Sequence, residues 1–147
     1  MVFFCLFASI APMTVSVPTR IFLLSGAAAL LLAVLLGAFG AHALRGVLPA
    51  DLQAIYQTAS HYHFYHALGL LLVGLLGLHW PTSACLRWAG WLLIAGLVLF
   101  SGSLYLLSLS GLRWLGAVTP LGGVAFILAW ALVLAGVARQ TRSGHGD

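Results

Sequence analysis

From Ile21 to Ala41 the chain runs for 21 residues without a charge. As a helix, with a rise of 1.5 Å per residue, that run is about 30 Å long, the thickness of one bilayer hydrocarbon core. Trp88 to Ser108 is another uncharged run of 21, and Leu115 to Ala138 a further one that ends at Arg139 and Arg142. Charged residues make up 5% of the 147 and hydrophobic ones 63%; an ordinary globular domain carries roughly 25% charged residues. So few charges cannot cover a water-facing surface. A soluble domain, a disordered tail and a disulfide-stapled secreted module are excluded, and an all-α polytopic membrane protein remains.

One further span is less obvious. Ala67 to Leu78 is apolar for only 12 residues and stops before His79, Trp80 and Pro81. Twelve residues do not cross a bilayer, and Pro81 does not continue a helix. To reach about 20 residues the helix must extend backwards to Ser60. This draws Tyr62, His63, Tyr65 and His66 into the membrane, with Asp51–Ala59 as a continuation in the headgroup layer. The resulting expectation is four spans, 21–41, 60–80, 88–108 and 115–138, in an up-down bundle within a domain covering 21–138. A lead-in covers 1–20 and a cytoplasmic tail 139–147. Residues 1–12 read either as an over-extended start or as an interfacial segment, and no function is placed on them.

The six Arg lie singly between the apolar runs, which is a topology signal and not a nucleic-acid stripe. Arg20, Arg87, Arg139 and Arg142 fall on one side, and Arg45 and Arg113 on the other. The positive-inside rule then puts both termini in the cytoplasm. Cys5 and Cys85 have no metal-ligand spacing and read as small apolar groups. Ala29, Ala33, Gly37 and Ala41 recur every four residues, a small-residue seam for close helix approach, with Gly40 beside it. Ala125 and Ala129 repeat that spacing on the last helix, where Gly123 also packs.

Four helices bring polar groups to the outer half of this arrangement: His42, then Thr58, Tyr62 and His66, then Ser101, Ser103 and Tyr105, then Thr119. On a helical wheel Thr58, Tyr62, Tyr65 and His66 share a face, and His63 falls outside it. Lipid cannot satisfy polar side chains, so they are expected to turn inward as one nest centred on His42 and His66. Such a nest can be structural, fixing helix register by hydrogen bonds. Alternatively, His42 and His66 could ligate haem iron or copper, or the nest could hold a quinone. No membrane carboxylate and no nucleophile–base–orienter set is legible, so no catalytic residue is assigned.

Four blocks, GAFGAH (37–42), YQTASHYHFYHAL (56–68), FSGSLY (100–105) and VTPLGG (118–123), resemble in order and spacing the family called domain of unknown function 423. The vertebrate transmembrane protein 256 is similar. The resemblance spans about residues 21–138. It implies a four-helix bacterial inner-membrane protein and brings no established activity. Its pattern falls on Gly37, Gly40, His42, Thr58, Tyr62, His66, Ser101, Gly102, Ser103, Tyr105, Thr119, Pro120 and Gly123. Where relatives often carry an acid before the Thr, this chain has Gln57. The combined expectation is a non-enzymatic accessory or oligomerising membrane component. Its partners are the lipid bilayer and a second copy or a membrane complex, not nucleic acid, and no cofactor is evident. The alternative is a haem, copper or quinone binding protein.

Overall fold

The computed structural model describes residues 15–143, all helical apart from short connections. Residues 1–12 and the end of the tail lie outside the described residues. Helix α1 runs Val17–His42 and α2 Ala50–His79. The third span is assembled from α3 (Ala84–Gly96), a π-helical turn (Leu97–Gly102) and α4 (Ser103–Ser110). A 3₁₀ turn (Arg113–Ala117) leads into α5, Thr119–Ser143. Four of these stretches, at 26 to 30 residues, are long and apolar enough to cross a membrane.

Local chemistry sets the ends. The Ser16 side chain accepts from the Thr19 amide at 3.4 Å, with Pro18 in the first turn of α1, a combination that satisfies one orphan amide and pre-sets φ. Ser83 caps α3 in the same way through Leu86. Helix α4 stops at Gly111, whose φ of +73° is the left-handed conformation that closes a helix C-terminus.

The principal difference from expectation is the depth of the α2 histidines. Helix α2 begins at Ala50, and Asp51–Ala59, expected as a continuation, is part of one 30-residue helix. His63 and His66 therefore lie near its middle and not near its outer end.

Helices α1 and α2 meet along two facing seven-residue repeats. Thr19, Gly26, Ala33 and Gly40 are buried on α1; Tyr56, His63, Leu70 and Gly77 are buried on α2. Large groups oppose small ones. A β-carbon on Gly40 would overlap the edge of the Tyr56 ring. One on Gly26 would meet the Leu71 main chain at 2.9 Å, and one on Gly77 the Thr19 hydroxyl at 2.7 Å. Because lipid is as apolar as these side chains, such close packing, and not water exclusion, holds the helices together. This corrects the small-residue seam. Ala33 and Gly40 lie in the interface, Ala29 and Gly37 flank it, and Ala41 is exposed. A four-residue step drifts off a helix face that a seven-residue repeat keeps.

Two apolar cores follow. One joins Phe22, Leu70, Val73, Leu86, Leu93 and Phe126 with their neighbours. The other joins Leu44, Tyr56, Ala59 and Tyr105 towards the opposite end. That second end carries an exposed ion pair, Arg113 to Asp51 at 3.2 Å. Arg139, within 3.6 Å of the Cys85 sulfur, marks the other end.

Candidate functional site

Between the two cores lies a polar band, and α2 supplies its centre. His63 is 6% exposed and His66 8% exposed, although the wheel set His63 apart. That wheel assumed one buried face. Helix α2 is instead the central helix, packed on α1 along one side and on the third span along another, so two of its faces are interior.

On the α5 side, His66 donates through Nδ1–H to the Tyr62 carbonyl at 2.8 Å; a carbonyl can only accept, which places the proton on Nδ1. The His66 ring stacks on Phe126 with centroids 3.4 Å apart and planes 16° apart. Tyr62, 42% exposed, stacks on Phe100 at 4.5 Å. Ser103 and Thr119 hydroxyls pair at 2.9 Å and tie the third span to α5.

On the α1 side, the Tyr105 hydroxyl lies 3.5 Å from His63 Nδ1. Tyr56 packs edge-on against Tyr105 and donates to the Leu36 carbonyl at 2.7 Å. Of the expected nest, then, His66 and Tyr62 come together, Ser103 and Thr119 come together, and Tyr105 meets His63. Gly123 is half-buried beside the Phe100 ring.

His42 and Thr58 do not join. His42 is exposed at the end of α1, and Thr58 is exposed and bonds back to the Ala54 carbonyl. The α1–α2 register, fixed by Gly40 on Tyr56 and Thr19 on Gly77, sets His42 level with residue 54. That is about twelve residues, or about 18 Å, from the level of His66. His42 and His66 of one chain are therefore not a ligand pair. The error lay in setting the outer end of the second span at Ser60. Among the described residues no cluster of three or more His, Cys, Asp or Glu could hold a metal ion.

A groove opens where α1 leaves the third span. The two meet at Phe22, against Gly90 and the edge of Trp91, and then separate. The space between them has a volume of about 610 Å³. Its walls include Ala28, Leu32 and Leu36 of α1 and Val98 and Leu106 of the third span; His63 and Leu70 of α2 form its floor. Ser101, Ser103 and Tyr105 also line it, and no charged residue does. Sequence reasoning missed His63, Tyr56 and the groove. The sevenfold spacing of Tyr56, His63, Leu70 and Gly77 was the available signal.

The π-helical turn shapes this wall. Such turns insert a residue into a helix and often occur at functional sites. Here the turn brings the Phe100 main chain against Gly122, where a β-carbon would clash with it. It also buries Ser101 to 2% exposure. Two buried side-chain atoms lack a hydrogen-bond partner among the described residues, Gln53 Oε1 and Ser101 Oγ.

A bundle of four membrane-length helices, with interior polar groups and no acid among those lining its groove, defines a small integral membrane protein. Residues 36–123 match the family model described as "Protein of unknown function (DUF423)", and the chain belongs to that family. It is 50% identical over 115 residues to the "UPF0382 membrane protein YwdK" of Bacillus subtilis, covering 78% of this chain and 94% of that one. It is 48% identical over 115 residues to "UPF0382 membrane protein SERP0230" of Staphylococcus epidermidis, covering 78% and 93%. The corresponding protein SSP2132 of Staphylococcus saprophyticus is 44% identical over 117 residues, covering 80% and 96%. No solved structure matches the chain.

Proposed function

We propose that this protein is a non-enzymatic component of the bacterial inner membrane, with both termini in the cytoplasm, that holds a lipid-soluble small molecule in the groove between α1 and the third span. The groove itself carries this reading. Its volume of about 610 Å³ is that of a small-molecule site, and apolar walls with a few placed polar groups are the usual make-up of one. It lies between membrane-spanning helices, so its occupant arrives through the lipid phase. The orientation rests on Arg20, Arg87, Arg139 and Arg142 being at one end against Arg45 and Arg113 at the other. Among the cofactors a membrane protein could hold, a quinone suits such a groove, whereas haem or copper would need ligands that His42 and His66 do not jointly supply.

Native mass spectrometry of the full chain, released from its own membranes in mild detergent, tests this reading. One apolar molecule per chain is expected. Ala28→Trp or Val98→Trp, each filling the groove from an exposed wall position, should remove it while helix content is retained. Retention of the molecule by both variants would overturn the reading. So would a dimer that either Trp dissociates, because a helix of a second copy would then be the occupant.

A further inference from the structure

Ser101 differs from the other hydroxyls of the bundle. Ser25, Thr58, Ser103, Ser108 and Ser110 each donate to a main-chain carbonyl three or four residues back, the usual resort of a hydroxyl in a membrane helix. Ser101 sits within the π-helical turn, makes no such bond, and is left buried without a partner. A buried, unpaired hydroxyl is costly, and more so where no water reaches. Ser101 lines the groove.

We propose that Ser101 is the polar anchor of the groove and that its ligand is an uncharged lipid bearing a carbonyl group. This rests on the groove being a binding site. Tyr105 already has His63 as a partner, and Ser103 has Phe100 and Thr119. Ser101 is thus the surplus donor, and a carbonyl oxygen is the complementary acceptor. The absence of Arg, Lys, Asp and Glu from the lining selects against an ionised head, which would be desolvated there without a counter-charge. The apolar walls take the hydrocarbon part. Two membrane sources supply this chemistry: the ring carbonyl of an isoprenoid quinone and the ester carbonyl of a diacylglycerol.

The test uses the full chain, stripped of endogenous lipid in detergent, with bound ligand counted by native mass spectrometry and melting followed in parallel. The probes are a short-chain ubiquinone, dioleoylglycerol, dioleoyl phosphatidic acid and the hydrocarbon squalene. One or both uncharged carbonyl lipids should bind, and which one binds identifies the source. Ser101→Ala should weaken that binding about tenfold, the loss of roughly one hydrogen bond, and leave squalene binding unchanged. Lipid-free Ser101→Ala should melt at or above the wild-type temperature, because it deletes an unsatisfied group. Undiminished carbonyl-lipid binding by Ser101→Ala, with squalene still displaced by Val98→Trp, would overturn the anchor and leave the groove standing. Tighter binding of phosphatidic acid than of either uncharged lipid would overturn the ligand class. No binding of any probe would overturn the groove as well.

Discussion

Gly122 of α5 lies so close to the main chain of Phe100 that a β-carbon on it would overlap the Phe100 amide nitrogen. Gly122→Ala should therefore destabilise the bundle by about 1–3 kcal/mol as overpacking. Gly123→Ala is the control. Its β-carbon would stand 3.8 Å from the Phe100 ring, an ordinary contact, and the gain in helix propensity should leave it neutral or more stable. Thermal unfolding in detergent distinguishes the pair; equal melting of the two variants would mean that the helices do not approach at this point.

The α1–α2 interface makes a similar contrast. Gly40→Ala drives a methyl into the Tyr56 ring, whereas a β-carbon on Gly37 would meet nothing nearer than the Ser60 hydroxyl at 3.6 Å. Gly40→Ala should lower the melting temperature and Gly37→Ala should not. Tyr56→Phe removes the bond to the Leu36 carbonyl and should cost about 1 kcal/mol.

Cysteine pairs read the register directly. In a background with Cys5 and Cys85 replaced by Ala, cysteines at 33 and 63 should join through a short bifunctional reagent, since both positions are buried on facing repeats. Cysteines at 42 and 66 should not join within one chain. The opposite result would restore the His42–His66 pair.

His63 and Tyr105 should be energetically coupled. In a double-mutant cycle, His63→Leu and Tyr105→Phe should be non-additive by about 0.6–1.7 kcal/mol, the range for hydrogen bonds between membrane helices. His66→Leu with Tyr105→Phe should be closer to additive, because His66 stacks on Phe126 instead.

Reporter fusions address orientation. Fusions after Arg142 should be active with cytoplasmic reporters, and fusions in the α1–α2 connection near Gly46 with periplasmic ones. The reverse pattern would place the Arg113–Asp51 end in the cytoplasm.

Much of the architecture was legible because lipid imposes one rule, that uncharged runs of sufficient length cross it. Ile21–Ala41 and Trp88–Ser108 announce themselves in this way. The depth of the α2 histidines was not legible, because Asp51, Gln53 and Gln57 read as headgroup-layer residues, which set the outer end of the span at Ser60. That displacement moved His66 to mid-span and separated it from His42, whereas His63 was hidden by the assumption that α2 buries only one face. The groove was equally out of reach: it depends on where α1 parts from the third span, and no local pattern encodes a divergence between two helices distant in sequence. Ser101 and Ser103 were picked out by polarity alone, whereas the unpaired state of Ser101 follows from the π-helical turn.

The facing repeats of α1 and α2 also set a handedness. Positions seven apart on a helix of 3.6 residues per turn drift about 20° per repeat, so two helices that keep such positions in register coil about each other to the left. Thr19 to Gly40 spans three repeats against Gly77 to Tyr56. The pair then behaves mechanically as a two-stranded cable, stiffer than either strand. The third span, interrupted by the π-helical turn at Leu97–Gly102, forms the groove's other wall.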